Sequence, residues 1–199
     1  QLKPRELSGT NGATAPFWSP DSAFVGYLAE NKIWKVPVGG GESSIITFTQ
    51  GGFVGGRGAS WGTDDRIIYS RGGTGLLEVP ARGGEPRPLL DTDPKTDNDF
   101  HQPHSLPDGR GVLFVVHRTR HGSDTLALFA GGTRRVLLQL EGQSIWNPIY
   151  SPTGHILYRR APANPGLWAV PFSLSRLEAT GEPFLVEPDG NFASVSSEG

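Results

Sequence analysis

Residues 17–22 read FWSPDS, and variants of this phrase return three more times along the 199-residue chain. The later copies are SWGTDD at 60–65, HSLPDG at 104–109 and IYSPTG at 149–154. Successive copies are spaced by 43, 44 and 45 residues, counted at Asp21, Asp64, Asp108 and Thr153. A period of this length is typical of propeller blades, each of which is a small sheet that cannot bury its faces alone. The repeat therefore predicts a β-propeller.

Each copy also carries the pattern of four successive strands. The Pro-Asp or Asp-Gly turn reverses the chain, because its side chains hydrogen-bond to the nearby backbone. In the first copy a short apolar strand follows at 23–28 (AFVGYL), then a strand at 33–38 (IWKVPV) and a more polar strand at 44–48 (SIITF). Helices are disfavoured by 28 glycines and 17 prolines. Four strands with turns between them make one propeller blade.

The repeat predicts a single all-β domain over residues 1–199, a β-propeller of four-stranded antiparallel blades. We place its blades at approximately 14–50, 57–91, 100–140 and 145–187. Residues 3–8 and 191–196 each read as a lone strand of an incomplete blade, so we expect four full blades plus two half-blades. The chain begins with Gln and contains no Met, which favours a fragment of a longer, truncated propeller.

The Ser-Pro-Asp turn, the Val-Pro strand and the Gly-Gly-Glu turns at 40–42 and 83–85 together resemble the TolB-like β-propeller repeat. The resemblance extends from about Pro4 to about Val195 and is strongest to propellers attached to bacterial serine/threonine kinases and to related extracytoplasmic sensors. It implies a binding or scaffolding module in an extracytoplasmic or periplasmic location. Some relatives are metal-dependent lyases or gate a peptidase. The resemblance implies no catalytic residue here, because the shared positions build the blade.

Composition excludes several classes of function. The net charge of −2 offers no electrostatic footprint for nucleic acid. The absence of cysteine excludes disulfides and thiol catalysis. No run of about 20 apolar residues is present, so we expect no membrane insertion. An open series of blades would leave sheet faces and strand edges exposed, which favours self-association into a homo-oligomer. The alternative is that the two end strands combine into one closing blade.

Ligands of propellers are expected where variable loops meet at the mouth of the central channel. The third blade has two unusual segments there, DTDPKTDNDFH at 91–101 and HRTRHGSD at 117–124. They and the strand between them hold four of the five histidines of the chain: His101, His104, His117 and His121. Imidazole and carboxylate groups suit zinc or manganese, and carboxylates alone suit calcium.

The same segments allow two interpretations. In the first, the histidines bind a divalent metal and Asp97 or Asp99 serves as a further ligand or as a base. His101 and His104 are three apart, however, and point to opposite sides of a regular strand unless the chain bends near Pro103. In the second, the histidines bond to the backbone and pack between blades, the aspartates lie in a solvated loop, and no cofactor is bound.

Aromatic and basic residues of the same face suggest a ligand of a different kind. Trp146 is the aromatic residue nearest the channel mouth, and it is accompanied by Arg71, Arg118, Arg120 and Arg159. Arginine recognises carboxylates and phosphates, so these residues predict a protein partner or a small anionic ligand such as a uronate. The sequence thus favours a ligand- or protein-binding module. The alternative is a metal-dependent hydrolase or lyase that uses the histidine cluster.

Overall fold

A computed structural model describes residues 5–49, 58–71, 73, 75–118 and 123–196. Within these residues the chain forms seventeen β-strands and one short 3₁₀-helix at Pro107–Gly109. None of the helical structure in this part of the chain is long and apolar enough to cross a membrane. Four antiparallel sheets follow one another along the chain, which confirms the all-β propeller predicted from the repeat.

The first two sheets each contain four strands in chain order. Blade 1 contains β1 (Thr14–Trp18), β2 (Phe24–Ala29), β3 (Lys32–Pro37) and β4 (Ser44–Phe48). Blade 2 contains β5 (Ala59–Trp61), β6 (Arg66–Arg71), β7 (Gly75–Pro80) and β8 (Arg87–Leu90). The first strand of each blade is the inner strand, and consecutive inner strands β1, β5, β9 and β13 contact one another.

The last two blades repeat this order with longer inner strands. Blade 3 contains β9 (Asp97–Ser105), β10 (Val112–Arg118), β11 (Thr125–Ala130) and β12 (Thr133–Gln139). Blade 4 contains β13 (Ser144–Ser151), β14 (His155–Ala161), β15 (Gly166–Ser173), β16 (Glu178–Ala179) and β17 (Phe184–Glu187). Because β16 and β17 both pair with β15, at its two ends, they share the position of one outer strand.

The two predicted end strands differ from the structure. Their described parts, residues 5–8 and 191–196, are not in strands. A lone strand needs a neighbouring backbone to pair with, and neither segment is paired with a described strand. The N-terminal segment instead lies against blade 1, where Arg5 donates a hydrogen bond to the Val38 carbonyl and the Tyr27 hydroxyl reaches the Gly9 carbonyl at 3.3 Å.

The core lies between blades rather than within them. Successive strand residues point to opposite faces of a sheet, so each blade has one face toward the blade before it and one toward the blade after it. The second strands of blades 2, 3 and 4 each direct a fully buried aromatic ring at the preceding blade, namely Tyr69, Phe114 and Tyr158. These rings fill the three apolar layers that join the four sheets into one domain.

A backbone irregularity recurs at the same position of every inner strand. Ala15, Gly58, Gln102 and Asn147 all have positive φ, between 47° and 74°. In β1, β9 and β13 this residue and the proline after it stand opposite a single residue of the second strand, which defines a β-bulge. The bulges of neighbouring blades touch, because the Asn147 N–H donates to the Gln102 side-chain oxygen at 2.8 Å.

Gly58 tests how tightly these bulges pack. A Cβ added at Gly58 would lie 3.2 Å from the Gln102 Cα, at a φ of +74°. Gly12 has a nearly equal φ of +72° with nothing within 4 Å. We expect Gly12→Ala to lower the free energy of unfolding by about 1 kcal/mol through backbone strain alone. Gly58→Ala should lower it by about 2 kcal/mol or more, measured by urea unfolding, because contact with blade 3 adds to the strain. Equal losses for the two variants would contradict close packing of the bulges.

Candidate functional site

A cluster of side chains from the third blade lies where the inner strand begins and the second strand ends, which we call the mouth end. Asp99 and His101 are two residues apart on β9, and His117 on β10 is paired directly with Asp99. All three side chains therefore share one face of the sheet. The Asp99 Oδ1 atom lies 2.9 Å from His101 Nε2 and 3.1 Å from His117 Nδ1. The strands thus bring two imidazoles to one carboxylate oxygen.

The two imidazole rings also contact each other and a second carboxylate. The ring centroids of His101 and His117 are 4.1 Å apart. On the side of His117 away from Asp99, the Nε2 atom lies 3.6 Å from Asp124 Oδ2. Asp124 precedes β11, and the same oxygen accepts a 3.0 Å hydrogen bond from the Ile145 N–H of blade 4. The cluster therefore extends across the boundary between blades 3 and 4.

Asp99 and Asp124 are both well buried for charged side chains, at 8% and 6% exposure. Burial raises the pKa of the Asp124 carboxyl above its ordinary value, and this effect outweighs the Ile145 hydrogen bond and the charge of His117, which lower it. A positive charge placed among these groups would relieve that penalty, because it favours the ionised carboxylate.

His104 is separate from the cluster although it shares its face. His104 is paired with Leu113 and His101 with Val115, so the bulge at Gln102 turns both histidines to the same side of blade 3. His104 is nevertheless not part of the group of metal-ligating atoms around Asp99. Burial lowers its pKa to about 4, although the residue as a whole keeps some exposure.

Asp97 and Asp99 belong to β9, and His117 to β10, rather than to the loops in which the sequence placed them. A register shift between His117 and Arg118 sends Asp97 to the face opposite Asp99. There the fully buried Asp97 carboxylate pairs with Arg134 and lies 3.5 Å from the Arg118 guanidinium. Burial would raise the pKa of Asp97, but hydrogen bonds from Arg134, the Asp93 N–H and Thr96 hold it below its ordinary value. Asp97 therefore acts as a structural ion-pair partner and cannot reach the histidines.

The predicted ligand-binding residues are divided among several places. The Arg159 guanidinium stacks on the Trp146 ring, 4.7 Å from its centroid. Arg118 is engaged by Asp97, and Arg71 ends β6 in blade 2. Arg120 and His121 lie outside the described residues. Among the described residues of this set, only Trp146 and Arg159 contact each other.

A surface depression between blades 2 and 3 lies at the opposite end of the blades from this cluster. It is lined by Asp64, Arg66 and Arg110, among others. Arg66 is already bound to Asp64 at 2.6 Å and to Glu78 at 2.5 Å, and these hydrogen bonds raise the pKa of its guanidinium. The Arg66 charge is thus taken up by ion pairs within blade 2. The mouth end of blade 3 is therefore the better candidate site.

The sequence did not identify Asp124 as a member of the site. It is the last residue of a variable loop, and nothing in its own repeat marks it. The spacing of Asp99 and His101 is the usable signal, because residues two apart on a strand share a face. That signal requires the inner strand to begin at Asp97, earlier than the pattern of the other repeats indicates.

Comparison with known proteins supports the fold. No protein-family profile and no curated protein matches the chain. TolB from Acinetobacter baumannii is similar with a TM-score of 0.62 at 17% identity, over 87% of this chain and 44% of that one. A putative TolB from Agrobacterium tumefaciens gives 0.63 at 19% identity, over 85% and 62%. An oligogalacturonate lyase in complex with manganese gives 0.56 at 10% identity, over 85% and 64%. The chain thus has the TolB-like β-propeller fold and spans less than two thirds of each of these structures.

The lowered pKa of His104 predicts that stability depends on pH. Its pKa of about 4 in the folded chain is below the ordinary value of 6.5, so between these values the unfolded chain binds the additional proton. The free energy of unfolding should therefore fall as pH decreases from about 6.5 to about 4. We expect His104→Gln to flatten this part of the curve of unfolding free energy against pH, measured by urea unfolding. His155→Gln, which changes the first residue of β14 in blade 4, should leave the slope in place. An unchanged slope in His104→Gln would contradict the assignment.

Proposed function

We propose that this chain is a binding and scaffolding module that acts outside the cytoplasm, as the resemblance of its repeat to extracytoplasmic propellers suggests. In this proposal it assembles with another copy through the faces at the two ends of its blade series, and it receives a ligand at the mouth end. The observation that carries the proposal is the exposure of Trp18, which lies at a position that is covered in the next blade.

Trp18 and Trp61 are equivalent residues of the repeat in different surroundings. The Trp61 ring stacks on Phe24 of blade 1, with centroids 6.2 Å apart, and the Lys35 ammonium lies 5.8 Å from its centre. Trp18 lies on the face of blade 1 that is turned away from blade 2, and 60% of it is exposed. Exposed tryptophan is the residue type that most often anchors a protein interface.

The last blade presents a complementary apolar face. Phe184 of β17 is paired with Ala169, whose face of blade 4 points away from blade 3. Phe184 is 46% exposed and contacts His155 edge to face, with ring centroids 5.7 Å apart. His155 occupies the position in blade 4 that Phe24 occupies in blade 1, where Phe24 covers Trp61.

A second copy of the chain is the partner that best fits both faces. Blade-on-blade packing of this kind already occurs three times within the chain. Each copy carries both a Trp18 face and a Phe184 face, so two copies can pack head to tail and bury both ends when the rotation closes the ring. Among the described residues, no element of blade 1 makes more than marginal contact with blade 4.

Self-association should depend on Trp18. We expect native mass spectrometry and size-exclusion chromatography with light scattering to give a dimer of the 21.4 kDa chain at micromolar concentration. Trp18→Ala should weaken the dimer at least tenfold without loss of folding, since the ring is exposed. Val136→Ala is the matched control, because Val136 is 55% exposed on the outer strand of blade 3. A wild-type chain that remains monomeric at all concentrations would contradict the proposed assembly.

The mouth end supplies the proposed ligand site. Trp146 and Arg159 offer an aromatic surface beside a guanidinium, which suits a carboxylate or phosphate on a sugar or peptide. A protein carboxylate or a small anionic ligand is thus the class of partner that we propose for this region.

A metal-dependent hydrolase or lyase is the second candidate, favoured by the grouping of Asp99, His101 and His117. The similarity to an oligogalacturonate lyase in complex with manganese suggests a polyuronate as the test substrate. An active chain would release unsaturated uronates from the polyuronate in the presence of Mn²⁺, and this release would be detected by absorbance. Removal of the metal by a chelator should stop the release. His117→Gln should abolish this release and Asp97→Glu should retain it. Absence of release under all conditions favours the binding module.

A further inference from the structure

We propose that Asp99, His101 and His117 bind one divalent transition-metal ion, zinc being the best fit, at the boundary between blades 3 and 4. One ligand atom from each side chain lies within 4.8 Å of the other two. Metal–ligand bonds of about 2.1 Å separate neighbouring ligand atoms by about 3 to 3.5 Å. The contacts of Asp99 Oδ1 with the two imidazole nitrogens, at 2.9 and 3.1 Å, are close to these separations.

The three ligands are held by paired strands rather than by a loop. Asp99 and His101 are two residues apart on β9 and share one face. The ladder between β9 and β10 fixes His117 opposite Asp99. The three ligand side chains are therefore attached to a rigid backbone, which reduces the loss of conformational entropy when the metal binds. Phe100, between the two β9 ligands, is fully buried on the other face and fixes the strand against blade 2.

The set of donor atoms selects the metal. Two imidazole nitrogens and one carboxylate oxygen suit zinc and its first-row neighbours, whereas calcium requires six to eight oxygen ligands. Three protein ligands leave a coordination position open for water or for an anionic ligand. Calcium, which the aspartate-rich sequence also suggested, is therefore the poorest fit to this set.

Asp124 is the positioning residue of the proposed site. It lies 3.6 Å from His117 Nε2, the ring nitrogen on the side away from Asp99. A carboxylate behind a ligating imidazole fixes the orientation of the ring and strengthens it as a ligand. Asp99 and Asp124 together also balance the two positive charges of the ion. Because the Ile145 N–H of blade 4 holds Asp124, metal binding would strengthen the contact between the two blades.

Isothermal titration with zinc chloride, after removal of metals by a chelator, tests the proposal. We expect one Zn²⁺ per chain, weaker binding of Mn²⁺, and no comparable binding of Ca²⁺. His101→Gln and His117→Gln should abolish binding, and Asp124→Asn should weaken it about 10- to 100-fold. The asparagine keeps an oxygen for the Ile145 N–H, so this variant isolates the effect of the charge.

Two control variants distinguish this site from zinc binding by histidines elsewhere on the chain. His155→Gln should bind Zn²⁺ like the wild type, and so should His104→Gln, since His104 lies outside the proposed ligand set. Zinc should raise the melting temperature of the wild type and not that of His117→Gln. Failure of the wild type to bind Zn²⁺, or loss of binding in His104→Gln alone, would overturn the proposal. The result is independent of the proposed self-association, because a chain that binds zinc as a monomer would contradict only the latter.

Discussion

The positive-φ residue shared by the four blades, which forms a bulge in β1, β9 and β13, is the constraint on which the rest of the structure depends. Inner strands approach one another closely around the centre of a propeller, and a bulge bends a strand locally at this point of approach. The residues Ala15, Gly58, Gln102 and Asn147 adopt positive φ at this one shared position. Gly58 lets the Gln102 backbone approach, and the Gln102 side chain in turn binds the Asn147 N–H. Blade 2 is thereby joined to blade 3, and blade 3 to blade 4, at these irregular positions.

The same irregularities decide which side chains meet at the candidate site. In a regular strand, Asp97, Asp99 and His101 would share one face, and His104 would lie on the other. One register shift moves Asp97 to the face where Arg134 neutralises it, and the Gln102 bulge brings His104 to the face of His101. Asp97, which the residue spacing predicts to be a ligand or a base, therefore forms a structural ion pair. Asp99 remains beside the histidines.

The sequence predicted the blades well because their information is local and repeated. Turn residues and alternating strands recur in each copy, so the number and order of the sheets followed from the pattern. The site was predicted only as a region. The bulges involve contacts such as that between Gln102 and Asn147, which are 45 residues apart in the chain, and Asp124 is held beside His117 by the Ile145 N–H of blade 4. A single repeat contains neither fact.

Trp18 and Trp61 show why a repeat alone does not define a surface. The two residues have the same place in the same motif, yet one is stacked beneath Phe24 and the other is mostly exposed. The difference arises from the order of the blades, not from any residue in either motif. Among the described blades, blade 1 packs only on blade 2, so its face that carries Trp18 is left exposed. The proposed partner therefore follows from the packing inside the chain, whereas the metal site depends on one pair of strands, and each proposal stands without the other.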